Sequence, residues 1–100
     1  MSEMEKLIRQ RSALKSKLTI FSNFLQNIQG KEEVSDLELI QLNDRLTRIE
    51  KLIEEFDELQ NLIVSQAEDL ESQFKERETF ETNYFNNISI AKKFLMIKDQ

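Results

Sequence analysis

The fold turns on the stretch Gln29-Gly30-Lys31-Glu32-Glu33-Val34-Ser35-Asp36-Leu37-Glu38. The chain has no Pro and Gly30 is its one Gly, so this is its most marked break. A glycine can take the left-handed conformation that closes a helix, which puts the end of a first helix here. Five residues on, Ser35-Asp36-Leu37-Glu38 has capping-box spacing. The Ser35 hydroxyl can accept from the Glu38 amide while the Glu38 carboxylate reaches back. Val34 and Leu39 stand where a hydrophobic staple needs them. Ser2-Glu3-Met4-Glu5 repeats the box at the start of the chain. Helix one is therefore expected over about 3–29, a turn over 30–35, and helix from 36 onward.

Apolar spacing fills in the rest. Met4, Leu7, Arg11, Leu14, Leu18, Phe21, Leu25 and Ile28 alternate steps of three and four, the rhythm of a coiled-coil seam with one polar member. After the turn the rhythm runs Leu39, Leu42, Leu46, Ile49, Ile53, Phe56, Gln60, Ile63, Ala67, Leu70 and Phe74. It then continues through Arg77, Glu81, Tyr84, Ile88, Ala91 and Leu95. Leu52, Leu59 and Phe24 lie just off the seams and widen the apolar face. Folding the seams together through Gly30 gives an antiparallel hairpin in one register. Ile28 then faces Leu39, Leu18 faces Ile49, Arg11 faces Phe56 and Leu7 faces Gln60. Arg11 and Gln60 fall in adjacent layers near Asp57. They are expected either to form a small polar patch that fixes the register or to snorkel to water.

Residues 65–97 outrun helix one and still carry an apolar stripe that must be buried. Two solutions exist. The chain can turn near Ser65, with Ser65-Gln66-Ala67-Glu68 as a third capping box, and fold back into a three-helix bundle. Alternatively, helix two can run on and pair with a second chain. The seam keeps phase across Ser65, and neither Gly nor Pro marks a turn there. These points favour the long helix, with a break near 65 or 75–79 left open. A straight helix over 35–97 would be roughly 95 Å long. The expected class is thus all-α: one domain over 1–100, a coiled-coil-like hairpin with a long second helix or a third helix, as a dimer or a three-helix bundle.

Composition narrows the function. The 100 residues hold 14 Lys+Arg and 19 Asp+Glu, a net charge of −5, with no His and no Cys. Zinc sites of the usual kind, disulfides, His acid–base chemistry and Cys nucleophiles are absent. One Gly leaves no phosphate-cradling loop. Pairs such as Glu54-Glu55 and Glu76 with Glu78 read as a solvated helix face, since nothing separates their pKa values. No enzyme activity, cofactor, metal or small-molecule substrate is expected. The absence of Cys and of a long apolar run fits a cytoplasmic location. Charge is uneven: residues 1–31 hold six bases and two acids, and residues 32–81 hold 16 acids and five bases. Lys15, beside the first seam, is expected to pair with Glu50 or Asp57 across the hairpin.

The segment Leu7-Ile8-Arg9-Gln10-Arg11-Ser12-Ala13-Leu14-Lys15-Ser16-Lys17-Leu18-Thr19, followed by Phe24-Leu25, resembles the opening of the Gag polyproteins of BEL/Pao-type LTR retrotransposons. Arg45-Leu46, Ile49-Glu50, Leu52 and Glu54-Glu55-Phe56-Asp57-Glu58-Leu59-Gln60 are similar to a second stretch of that family. Glu76-Arg77-Glu78-Thr79-Phe80-Glu81, Tyr84-Phe85 and Ala91-Lys92 resemble a third, in family order. The resemblance implies an N-terminal helical region that self-associates as a particle-assembly scaffold. A complete Gag continues into a capsid region and often a zinc knuckle, and neither lies in these residues. A fragment, an isolated N-terminal domain or a host-adopted remnant is therefore expected.

Function is accordingly expected to be structural and non-catalytic. The partner is the chain itself, through Ile63, Ala67, Leu70, Phe74, Tyr84, Ile88, Ala91 and Leu95. The competing reading places these residues in the core of a monomer. A matrix-like alternative has Lys6, Arg9, Lys15 and Lys17 contact a membrane surface or polyanion. Pairing of those bases with the chain's own acids is the plainer reading, so neither membrane nor nucleic acid is expected as a partner through this segment alone. A generic coiled-coil adaptor shares every physical feature and lacks only the resemblance.

Overall fold

The computed structural model describes residues 1–98; residues 99 and 100 of the expected domain lie outside the described residues. The fold is all-α, with no strand among the described residues. Its helices are α1 (Glu3–Gln29), α2 (Asp36–Ile49), α3 (Leu52–Gln66) and α4 (Leu70–Lys98). α2 and α3 form one kinked arm antiparallel to α1. α4 folds back along that arm and touches the other three helices. The result is a bundle of three arms whose longest extent is 49 Å.

The first turn forms where its residues dictate. Ser2 accepts from the Glu5 amide at 3.1 Å and starts α1. Ser35 and Glu38 close the full capping box of α2, and Lys31 adds an ion pair to Glu38. Val34 is half-buried against the core. The conformation of Gly30 differs from expectation. It is right-handed, with φ −77° and ψ −7°, and its amide donates to the Gln26 carbonyl. The helix ends by loosening into a turn there, without a left-handed cap.

The favoured long second helix is corrected by the structure. The chain reverses over Ala67-Glu68-Asp69, with Ala67 extended at ψ 142°. Ser65 is not a cap, since it is still helical and its hydroxyl donates back to the Leu62 carbonyl at 2.7 Å. Asp69 performs the capping, accepting from the Ser72 amide at 3.0 Å. Folding back buries Phe80, Tyr84, Ile88 and Ala91 of the surplus stripe within the chain, which an isolated rod of roughly 95 Å could not do. No break occurs at 75–79, where α4 is continuous.

A second interruption, at Glu50-Lys51, separates α2 from α3. No Pro or Gly explains it. The Tyr84 hydroxyl, from α4, donates to the Glu50 carbonyl at 2.9 Å. Glu50 and Lys51 keep right-handed dihedrals, and the Tyr84 hydroxyl satisfies a carbonyl at the point where the helical ladder is interrupted.

The core follows from three arms meeting. The α2–α3 arm is covered on two sides, so it needs a wider apolar face than a hairpin seam. Leu52 and Leu59 are therefore buried, while Ile53 is half-buried. Leu18, Phe21, Leu25 and Ile28 of α1 join Leu42, Leu46 and Phe56 with Phe80, Tyr84, Ile88 and Ala91 of α4. Phe56 and Phe80 stack with ring centroids 3.8 Å apart. A smaller cluster of Leu7, Leu59 and Ile63 closes the other end.

Candidate functional site

Between the two apolar clusters lies a buried polar cluster. Arg11 projects from the α1 seam, and its Nη1 donates to Gln60 Oε1 at 3.0 Å and to Gln73 Oε1 at 2.8 Å. Gln60 is fully buried. Its Nε2 donates to the Gln73 carbonyl at 3.1 Å and to Gln73 Oε1 at 3.2 Å. Helical side chains lean toward their own N-terminus. On antiparallel helices Arg11 and Gln60 therefore lean toward each other, which joins two adjacent layers. The polar patch forms, and snorkelling to water is not seen.

Helix α4 supplies what the hairpin alone lacked. Glu76 accepts from Lys15 at 2.7 Å and lies 3.6 Å from Arg11 Nε. Lys15 thus pairs with Glu76 rather than with Glu50 or Asp57, because α4 lies beside α1. Asp57 accepts from Arg77 at 2.8 Å, and Arg77 also donates to Asn61. The Lys15 hydrogen bond holds the Glu76 carboxyl below its ordinary pKa, against the opposing effect of burial; the charges of Lys15 and Arg11 act the same way. No buried side-chain nitrogen or oxygen lacks a partner among the described residues. The cluster's contacts tie α1, α3 and α4 together through Arg11, Gln60 and Gln73.

The eight residues expected to self-associate divide. Ile63, Tyr84, Ile88 and Ala91 are buried in the chain's own core. They are not available as an interface in this fold. Ala67 and Leu95 are half-buried. Leu70 and Phe74 are exposed, Phe74 at 61%. Phe74 was placed on one stripe with Tyr84 and Ile88. The turn at 67–69 resets the phase, so Gln73 and Phe80 point inward and Phe74 points out. At 3.6 residues per turn, Glu71, Phe74, Glu78, Phe85 and Met96 share one side of α4 within about 60°. Phe85 is 55% exposed. Phe85 and Met96 were missed because the first seam had claimed the phase.

The four candidate polyanion contacts do not form one patch. Lys6, Arg9 and Lys17 share a side of α1 within about 80°, and Lys15 points the other way. All four are exposed. Lys15 pairs with Glu76, and the other three make no ion pair among the described residues. Lys17 instead joins Arg45, Arg48 and Lys51 around an open cleft of about 700 Å³, with Glu55 its one carboxylate. The Arg45 guanidinium lies 4.0 Å from the centre of the Phe24 ring. This basic cleft was hidden because three of its cations belong to an acidic stretch. Their spacing of three, at 45, 48 and 51, is the signal that marks it.

Among the described residues no His, Cys, Asp or Glu group is arranged to hold a metal. No described helix is long and apolar enough to cross a membrane. No family model, curated protein or solved structure matches the chain.

Proposed function

We propose that this chain is a non-catalytic helical self-association module, acting as a scaffold in an assembly of its own copies. The observation that carries the reading is the outer side of α4, where Phe74 and Phe85 stand exposed while the core beneath them is complete. Aromatic side chains are enriched at protein interfaces and are costly to leave in water. The setting in a Gag-like particle, and with it a cytoplasmic location, rests on the sequence resemblance. That resemblance includes Glu76–Phe85, which form part of α4.

The test is the double variant Phe74→Ser with Phe85→Ser, followed by light scattering on a sizing column and by thermal melting. The wild type should show a mass that rises with concentration. The variant should melt near the wild type and elute as a monomer. Equal masses for the two proteins would refute the outer face as the interface.

A matrix-like second reading is favoured by the exposure of Lys6, Arg9 and Lys17 without ion pairs among the described residues. Flotation with anionic vesicles at low salt should then depend on these three residues and not on Lys15. Absence of flotation removes this reading.

A further inference from the structure

The basic cleft has no role in the fold described so far. Lys17, Arg45, Arg48 and Lys51 surround it with one carboxylate, in a chain whose net charge is −5. None of the four makes an ion pair among the described residues. Like charges gathered without partners repel one another, so an anionic occupant relieves a standing cost. The cleft is also apolar in part. Ile20 lines it and is 60% exposed.

The chain carries a surface with the complementary pattern. On the outer side of α4, Glu71 and Glu78 flank Phe74. Neither carboxylate is ion-paired among the described residues. An exposed aromatic ring lies between the two acids, and an exposed Ile lies among the cations. Sign and apolar centre match.

Building on the self-association reading, we infer that the Glu71-Phe74-Glu78 surface of one copy docks into the Lys17-Arg45-Arg48-Lys51 cleft of the next. The contact joins two different surfaces, so it is head-to-tail. Each added copy brings a free cleft or a free α4 face, and the contact propagates into a ring or filament rather than stopping at two. This is the geometry a scaffold requires. The net charge of −5 opposes association at long range, but at 0.15 M salt its reach is cut to about 8 Å while the close pairs persist.

Charge reversal tests the pairing. Three full-length proteins are compared by sedimentation over a concentration series: wild type, Arg45→Glu with Arg48→Glu, and Glu71→Lys with Glu78→Lys. Each variant alone should lose at least tenfold in association constant. Mixing the two variants should restore association, because the unchanged α4 acids of one meet the unchanged cleft of the other and the two reversed surfaces are again opposite in sign. Circular dichroism checks the fold, and Arg45→Gln with Arg48→Gln replaces the reversal if it unfolds. Association of wild type that neither reversal weakens overturns this pairing and leaves the self-association reading standing. A monomeric wild type at every concentration overturns both. Failure of the mixture to associate overturns the pairing. So does binding to phosphatidylserine vesicles that the Arg45/Arg48 reversal abolishes while self-association persists, since the cleft would then serve a lipid surface.

Discussion

The two sides of α4 both carry aromatic rings and meet opposite fates. On the inner side Phe80, Tyr84, Ile88 and Ala91 are buried against the other helices. On the outer side Phe74, Phe85 and Met96 are exposed. Both rows have helical spacing and both carry aromatic rings. What separates them is phase relative to the turn at 67–69, which decides which row meets the α2–α3 arm. Apolar content alone therefore cannot tell a core from an interface. Knowing where the helix was turned can.

The sharpest way to break this comparison is a matched pair of truncations. Phe80→Ala should cost about 3–5 kcal/mol, because it removes a buried ring stacked on Phe56 and leaves a cavity. Phe74→Ala, six residues away, should change stability by no more than about 0.5 kcal/mol. Urea unfolding measures both, and similar losses would erase the distinction between the faces.

The next effect lies at the polar end of the inner face. Arg11→Leu should cost about 1–3 kcal/mol, since Gln60 is left buried with an unpaired oxygen. Adding Gln60→Leu should recover part of that loss, because the fully buried Gln60 oxygen is gone and the Gln73 oxygen left behind is only half-buried. The recovered protein should show broader NMR lines if the cluster sets the register. A smaller effect is expected at the kink. Tyr84→Phe leaves the Glu50 carbonyl without its donor and should cost about 0.5–1.5 kcal/mol by thermal melting.

The smallest effect depends on pH. The Lys15 hydrogen bond lowers the Glu76 pKa in the folded state. The unfolded chain then binds the proton more readily, so this contribution is complete above the unfolded value of about 4.3. It is lost as pH falls through the lower folded value. Glu76→Gln should be less stable than wild type at pH 7 by about 0.2–1 kcal/mol. The gap should narrow as the pH is lowered through the acid range in parallel urea titrations.

Much of the fold was legible because its signals are local. The helix over 3–29 and the capping box at Ser35 needed only neighbouring residues, and both stand as expected. The Arg11–Gln60 contact was also legible, because two polar residues interrupted adjacent layers of opposed seams. The turn at 67–69 was legible only as the less favoured of two solutions, a fold-back near Ser65. Its mark is Asp69 three residues before Ser72, a weak cap beside a seam that seemed unbroken. A three-four rhythm recurs in any packed helix, so its continuity across Ser65 said little about a straight path. The interruption at Glu50 is met by the Tyr84 hydroxyl, 34 residues later, and no local pattern announces it. The pairing of Lys15 with Glu76 and the exposure of Phe74 both follow from that fold-back, so they too were out of reach of the seam. The basic cleft was missed for a different reason: charge was summed over a long acidic stretch rather than read at helical spacing.

The account rests most heavily on the claim that a finished bundle still has an interface to offer. Sedimentation equilibrium of the unmodified chain, from micromolar to near-millimolar concentration, addresses it directly. The average mass should climb above the single-chain 11.9 kDa and past twice that value. A mass fixed at 11.9 kDa throughout would contradict it, and the exposed rings of α4 would then be surface with no partner in this chain.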